Sequence, residues 1–182
     1  MTPLRESKNH KNQTTMKTTM IARAITAAVL LGGFASTASA LTAPEASSIL
    51  FMKQEEKLAR DVYKTLHAKW GSVIFANIAA SEQNHMNAIN GLISRYRLKD
   101  TTPAAIGEFT YPELQELYDQ LVADGGVSLR DALEVGVLIE ETDIEDLRAA
   151  LLTTREKAVR NVFGSLLNGS LNHLAAFRSW LK

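Results

Sequence analysis

The sequence of 182 residues contains no cysteine, which excludes several classes of site before any fold is considered. Without thiols the chain forms no disulfide, holds no iron–sulfur cluster and offers no thiolate ligand to a metal. Any metal would have to be held by oxygen and nitrogen atoms, chiefly those of carboxylates and of the four histidines.

The sequence also lacks the patterns of β-strands. No stretch shows sustained alternation of apolar and polar residues, and only four prolines and ten glycines interrupt the chain. Apolar residues instead recur at spacings of three and four, which is the repeat of an amphipathic helix. The pattern therefore predicts an all-α fold.

The first 40 residues predict a polar N-terminal extension followed by a secretory signal peptide. A basic segment at 16–23 precedes a short apolar run at 24–34, and Ala38-Ser39-Ala40 has the small residues of a cleavage site. The apolar run is much shorter than the about 20 residues that a membrane-spanning helix needs. We expect cleavage after Ala40, a periplasmic or secreted product, and no membrane association once the signal is removed.

The predicted mature domain, residues 41–182, is mildly acidic. It carries 15 basic and 19 acidic side chains, a net charge of −4. Such a chain has no basic patch that would favour nucleic acid as a partner. Its 142 residues are enough for one domain with a single core.

Four long helices and one short helix are predicted in this domain. The long helices span about 44–69, 73–97, 128–152 and 153 to the C-terminus, and the short one follows a capping-box spacing that starts at Thr110. Ser128 and Thr153 are expected to cap the last two long helices. Two short turns and one long crossover at 98–127 are the connectivity of ferritin-like bundles rather than of an up-down-up-down bundle.

Ionisable residues occupy the apolar stripes of all four long helices. Burying a carboxylate or an imidazole without compensation costs several kcal/mol, and a shared divalent metal would compensate the whole set. In the second long helix, the spacing Glu-x-x-His places both side chains on one face, one turn apart. The candidate metal ligands are Glu56, Glu82, His85, Glu140 and His173.

Structural interpretations of the same residues remain open. Glu82 and His85 are also compatible with a satisfied polar pair in the core, and Glu141 is an alternative to Glu140 as the inward residue. Tyr63 is expected to pack in the core with a hydrogen bond from its hydroxyl group, or to support a ligand. The acidic run at 140–146 is typical of a solvated helix face.

Several segments resemble known proteins. The run Glu56-Lys57-Leu58-Ala59-Arg60-Asp61-Val62-Tyr63 resembles the first-helix motif of rubrerythrin-type ferritin-like proteins, and Glu82-Gln83-Asn84-His85 resembles their second-helix ligand pair. More narrowly, four segments resemble an uncharacterised bacterial and archaeal family, domain of unknown function 2202, within the ferritin-like superfamily. These segments are 51–63, 77–86, 139–144 and 169–174.

The resemblance implies a carboxylate-bridged centre of one or two iron-class ions. Glu56, Glu82 and His85 match the ligands of its first half, and Glu140 and His173 match those of the second. Ser170 stands where the superfamily has another ligand glutamate.

The missing carboxylate at this position leaves several replacements open. Glu141, Asp143 or a water molecule would serve, or the second ion would be loosely held. Manganese or another divalent ion remains an alternative to iron.

The resemblance further implies a redox function, either reduction of peroxide or oxygen or oxidation of ferrous iron. Because the chain has no cysteine-ligated electron-transfer module, the reductant would come from a separate electron donor. Two other classes remain open: a non-catalytic periplasmic metal-binding or stress protein, and a metal-free helical interaction module. A homodimer is the candidate assembly.

Overall fold

The computed structural model describes residues 41–182, so the predicted signal peptide and its cleavage site lie outside the described residues. Within this range the chain forms five helices and no strand, which confirms the predicted all-α fold. The helices are α1 (Ala43–Trp70), α2 (Val73–Tyr96), α3 (Pro112–Gly125), α4 (Leu129–Thr153) and α5 (Lys157–Trp180).

The four long helices form two hairpins that pack together as a bundle. α1 packs along α2, and α4 packs along α5; contacts of α2 with α5 and of α1 with α4 join the hairpins. The short helix α3 lies in the long crossover and packs against α1 and α4. Among residues 41–182, no helix is both long and apolar enough to cross a membrane.

Several helix ends follow from the local sequence. Thr42 and Glu45 form a reciprocal capping box at the start of α1. Gly71 ends the same helix with φ of 66°, a left-handed conformation that glycine adopts without steric cost. Ser128 caps α4 as predicted, since its hydroxyl oxygen accepts a hydrogen bond from the amide of Asp131 at 3.1 Å.

The predicted start of the last long helix was wrong. α5 begins at Lys157 with Glu156 as its N-cap, whereas Thr153 is the final residue of α4. The cause is a contact from a distant helix: a carboxylate oxygen of Glu45 accepts hydrogen bonds from the amides of Arg155 and Glu156 at 2.8 and 2.9 Å. These bonds hold the α4–α5 turn against the start of α1.

The capping box predicted before α3 was also wrong. Tyr111 is the N-cap residue of α3, and no side chain caps this helix. The hydroxyl oxygen of Thr110 instead accepts a hydrogen bond from the side-chain amide of Gln54, and the Thr110 amide donates to Gln54 Oε1 at 2.9 Å. The crossover is therefore tied to α1 at the residue that was expected to cap α3.

A buried ion pair on α1 also holds the crossover against this helix. The side chains of Lys57 and Asp61 are 1% and 0% exposed, and Lys57 Nζ lies 2.5 Å from Asp61 Oδ2. Lys57 also donates to the carbonyl oxygen of Ala105 at 2.7 Å, and Asp61 accepts from the amide of Gly107 at 3.1 Å. Arg60 adds a second cation, with Nε 2.8 Å from Asp61 Oδ1.

The apolar core is divided into two clusters, one towards each end of the bundle. One cluster contains Tyr63, Phe75, Leu133 and Phe177, and the other is built around Ile49, Ile89, Leu147 and Phe163. The clusters use different segments of each long helix. The residues between those segments include the ionisable side chains singled out in the sequence.

The Lys57–Asp61 pair provides a test of what holds the crossover in place. Asp61→Asn is expected to lower the free energy of unfolding by about 3 kcal/mol or more, because it leaves buried cations without their anion. Chemical denaturation followed by circular dichroism measures the change.

The matched control is the Arg130–Glu134 pair, which has the same spacing but side chains 69% and 51% exposed. Glu134→Gln is expected to change the free energy of unfolding by about 0.5 kcal/mol or less. Equal losses in the two variants would contradict the importance that we assign to burial.

Candidate metal centre

The five candidate ligands predicted from the sequence meet at mid-bundle, between the two apolar clusters. Each lies on the buried stripe of its helix, so packing of the four stripes brings the ionisable groups together. The three glutamates are each 1% exposed, and both histidines are largely buried. α1 provides Glu56, α2 provides Glu82 and His85, α4 provides Glu140, and α5 provides His173.

The Glu82 carboxylate lies between the two imidazoles, with one oxygen directed to each. Glu82 Oε2 is 2.8 Å from His85 Nδ1, and Glu82 Oε1 is 2.8 Å from His173 Nδ1. Both histidines therefore direct the same ring nitrogen at a single carboxylate. Glu82 is the residue that joins the two halves of the site.

Each histidine has a second carboxylate of its own. His85 Nδ1 is 3.0 Å from Glu56 Oε2, and His173 Nδ1 is 3.5 Å from Glu140 Oε2. The residues fall into two groups, Glu56–Glu82–His85 and Glu82–Glu140–His173, within each of which the ligand atoms lie within 4.8 Å of one another. The arrangement is thus two potential cation sites that share Glu82.

Several buried atoms in this cluster have no well-aligned hydrogen-bond partner among the described residues. They are Glu56 Oε1, Glu82 Oε1, Asp143 Oδ1 and His173 Nδ1. The close approach of Glu82 to His173 is thus a contact of charges without the alignment of a hydrogen bond. Buried polar atoms are normally hydrogen-bonded, and the exceptions need an explanation. Carboxylate oxygens, together with imidazole nitrogens that have released their protons, fit a metal of the iron or manganese type.

Protons on the two histidines balance part of the negative charge. Burial alone would lower the pKa of His85, but Glu56 and Glu82 raise it to about 11. The pKa of His173 is likewise raised to about 9 by Glu140 and Glu82, against burial. Burial opposes ionisation of Glu82, yet its interactions with both imidazoles lower its pKa to about 2.

The other acids hold protons because two imidazolium groups cannot neutralise all of them. Burial and the charge of Glu82 raise the pKa of Glu140 to about 8. Burial raises the pKa of Asp143 to about 7 despite a hydrogen bond from Ser170. Burial and the nearby Asp143 carboxylate raise the pKa of Glu56 well above its usual value. Without a metal, protons thus supply the positive charge that the ionised carboxylates would need.

Asp143, not Glu141, faces the position left without a carboxylate by Ser170. The Ser170 hydroxyl is buried on α5 and donates a hydrogen bond to the Asp143 carboxylate. Glu141 lies outside the cluster, where its exposed carboxylate pairs with Arg178 at 2.5 Å. Of the two acids that the sequence offered as replacements, Asp143 reaches this position and Glu141 does not.

The acidic run on α4 is accordingly not a uniform solvated face. Glu141 and Glu145 are exposed, but Glu140 and Asp146 are buried, and Asp143 has a buried carboxylate oxygen. The spacing Glu140-x-x-Asp143 is the same one-turn spacing as Glu82-x-x-His85, so it was a usable sequence signal for Asp143.

Two hydrogen bonds support the cluster from outside. Tyr63 is fully buried, and its hydroxyl donates a hydrogen bond to Glu140 Oε1 at 2.6 Å. The sequence predicted this core position and a hydrogen bond from the hydroxyl group. His173 Nε2 lies 2.8 Å from Ser81 Oγ on α2. Such outer contacts set the orientation of a histidine or carboxylate and direct its other atoms inward. No sequence pattern predicted the contact between Ser81 and His173.

A glycine of α5 provides the space for the His85 ring. A Cβ atom at Gly169 would lie 2.4 Å from His85 Nε2 and 2.7 Å from its Cε1. Real Cβ atoms do not approach this closely, so any larger residue would displace the imidazole. Sequence patterns did not identify Gly169, because the contact depends on how closely α2 and α5 approach.

Comparison with known proteins identifies relatives that carry no named activity. A family model described as "Uncharacterized protein domain (DUF2202)" matches residues 45–182. The uncharacterized protein MJ0754 of Methanocaldococcus jannaschii is 45% identical over 134 residues, 73% of this chain and 72% of that protein. The crystal structure of hypothetical protein MJ0754 from Methanococcus jannaschii DSM 2661 has a TM-score of 0.75 and 41% identity, with 85% of each chain covered. The predicted resemblance to this family is confirmed.

The contact between Gly169 and His85 can be tested against a neutral glycine on the same helix. A Cβ atom added at Gly164 would meet open space, with nothing within 4 Å. Gly164→Ala is expected to raise the free energy of unfolding by about 1 kcal/mol through helix propensity. Gly169→Ala is expected to lower it and to shift the NMR signals of the His85 imidazole. Equal stabilisation with unchanged imidazole signals would contradict the contact.

The pKa shifts predict how the metal-free protein responds to pH. Glu140 and Asp143 have pKa values of about 8 and 7 in the fold against ordinary values of 4.5 and 3.8. The folded state therefore binds more protons, and this stabilisation is complete below about pH 4 and is lost as the pH rises towards about 8. The raised pKa values of His85 and His173 extend the decline above about pH 6.5.

Melting temperatures measured with a chelator present are expected to fall between about pH 5 and pH 8. The variant Glu140→Gln/Asp143→Asn removes two of the titrating groups and is expected to show a shallower decline. A wild-type melting temperature that rises over this interval would show that the acids are not protonated in the fold.

Proposed function

The chain belongs to the DUF2202 family, and we propose that it is an exported redox protein with a two-metal centre of the di-iron type. The observation that carries this proposal is the position of Glu82 between two histidines, with one oxygen towards each. A carboxylate placed in this way is suited to bridge two cations. The proposal agrees with the resemblance to ferritin-like di-iron proteins.

A metal centre explains the cluster better than a satisfied polar core does. A polar core would pair every buried donor and acceptor, because an unpaired polar group is costly at low dielectric. Here four polar atoms in the cluster have no aligned hydrogen-bond partner in the described part of the chain. Carboxylates also outnumber imidazoles, so Glu56, Glu140 and Asp143 retain protons in the metal-free fold, whereas two divalent ions would supply the positive charge that lets them ionise.

The ligands divide into two sets around the shared carboxylate. Glu56 and His85 would hold one ion, and Glu140 and His173 would hold the other. Asp143 would provide the additional carboxylate that Ser170 lacks. Mixed carboxylate and imidazole donors favour iron or manganese over metals that prefer thiolates.

The protein's own residues would set the protonation and access of this centre. Metal binding requires neutral imidazoles and ionised carboxylates, so His85 and His173 would release their protons. Tyr63 would keep Glu140 oriented through its hydroxyl hydrogen bond, and the apolar clusters on both sides would limit entry of water. When bound, iron would supply the electrons for reduction of oxygen or peroxide, or would itself be the ferrous substrate.

Export and a separate electron donor belong to the same proposal. The basic and apolar segments at 16–34 and the small residues at 38–40 support a cleaved signal peptide and a periplasmic or secreted location. Because the sequence has no cysteine, it cannot hold an iron–sulfur or rubredoxin-type group of its own. Electrons for repeated turnover would therefore come from another molecule.

The redox proposal is tested by loading the protein with Fe(II) without oxygen and then adding oxygen or peroxide. We expect an increase in near-ultraviolet absorption as the bound iron is oxidised, at a rate well above that of free Fe(II) in the same buffer. Glu82→Gln is expected to abolish the protein-dependent change, because it removes the shared charge.

The matched control is Glu141→Gln, which removes a carboxylate from the exposed face of α4 outside the cluster. This variant is expected to behave like the wild type. Stoichiometric iron binding without any optical change would overturn the redox proposal and favour the non-catalytic metal-binding alternative. An equal loss in both variants would show that general acidity, rather than the cluster, binds iron.

A further inference from the structure

The candidate centre comes closest to solvent at the interface between α2 and α5. The imidazoles of His85 and His173 are 12% and 9% exposed, whereas the side chains of the three glutamates are only 1% or 2% exposed. The two rings lie next to each other, with centroids 5.4 Å apart and planes inclined by 27°. A solute that reaches the carboxylates from this side therefore passes the imidazoles first.

The His85 ring closes this interface. Its Nδ1 is directed inward at carboxylates of the centre, while its Nε2 edge lies against Gly169 of α5, where a Cβ atom would be only 2.4 Å away. Because Gly169 has no side chain, the imidazole itself fills the space between the two helices. Beside it, α5 contacts α2 through another candidate ligand, since His173 lies against both Glu82 and Ser81.

The other three helix interfaces are closed beside the centre by residues outside it. Across the α1–α2 interface, Arg60 donates a hydrogen bond to Gln83 at 2.6 Å. Across the α4–α5 interface, Arg178 pairs with Glu141 at 2.5 Å. The short helix α3 packs against both α1 and α4. At the α2–α5 interface, by contrast, the groups that close the space are candidate ligands.

The surface along this interface is polar and uncharged. Apart from the candidate ligands, residues 73–94 of α2 and 161–177 of α5 include no ionisable side chain. Asn84 and Asn172 are exposed, and each directly precedes one of the two candidate histidines. This surface therefore presents no charge that would repel either a cation or an uncharged oxidant.

We propose that the α2–α5 interface, between His85 and Gly169, is the entrance through which small ions and oxidants reach the two-metal centre. The proposal rests on the proposed function, since an entrance requires a centre that takes up ions or oxidants from solvent. His85 would serve both as a ligand and as the group that closes the entrance, because one edge of its ring faces the carboxylates and the other fills the interface. The close contact at Gly169 would restrict passage to small solutes such as a divalent ion, oxygen or hydrogen peroxide.

The test measures how fast the metal-free protein takes up Co(II), followed by stopped-flow recording of the visible absorption of the bound ion. Asn84→Lys/Asn172→Lys places two positive charges beside the proposed entrance. We expect uptake at low ionic strength to slow by about threefold to tenfold, because charges along the approach of an ion change its association rate. The difference is expected to shrink at about 0.15 M salt, where screening acts over about 8 Å. Asn84→Asp/Asn172→Asp is expected to accelerate uptake.

The matched control is Glu141→Gln/Glu145→Gln, which makes the net charge more positive by the same two units on the exposed face of α4. This variant is expected to take up Co(II) at a rate within about twofold of the wild type, because its charges lie away from the proposed entrance. Equal slowing in the control and the lysine variant, or greater slowing in the control, would overturn the entrance.

Equilibrium counts of bound Co(II) separate this proposal from the proposed function. A wild type that binds no Co(II) would contradict the two-metal centre and the entrance with it. Two ions bound in every variant, at uptake rates that do not depend on the charge at positions 84 and 172, would overturn the entrance alone and leave the centre intact.

Discussion

The sharing of Glu82 between His85 and His173 is the interaction on which the centre of this bundle depends. Buried carboxylates are stable only where positive charge reaches them, and this residue receives it from both sides at 2.8 Å. The remaining acids outnumber the imidazoles and retain protons in the metal-free fold. The site is therefore arranged around a charge deficit that cations of the iron or manganese type are suited to fill.

The rest of the fold keeps these groups at fixed positions. Apolar clusters pack on both sides of the layer of ionisable side chains. Burial of apolar surface in these two clusters stabilises the fold around the candidate ligands. Lys57 and Asp61 hold the crossover to α1, and Glu45 holds the α4–α5 turn. Because these anchors start on α1, this helix positions the crossover and the α4–α5 turn as well as its own ligand, Glu56.

Much of the fold and most of the candidate site were accessible from the sequence. The three-and-four spacing of apolar residues predicted the long helices, and Gly71 and Ser128 predicted two of their ends correctly. The same spacing identified the candidate ligands, because acids and histidines rarely lie on the apolar stripe of a helix. These ligands are Glu56, Glu82, His85, Glu140 and His173. The capping residue of α3 and the start of α5 were predicted wrongly, since Gln54 and Glu45 bind those segments from more than 50 residues away.

The chemistry of the donors follows from composition, because a chain without cysteine offers carboxylates and imidazoles as ligands. Helical periodicity then shows which of these residues share a stripe. The packing of α4 against its neighbours settled which of two acids faces the cluster: Asp143 does, and Glu141 faces solvent. These residues are two positions apart on the helix, so their side chains point about 200° apart. Which one is buried depends on the rotation of the helix against its partners. The contact of Ser81 with His173, and the space that Gly169 leaves for His85, likewise exist only after the helices pack.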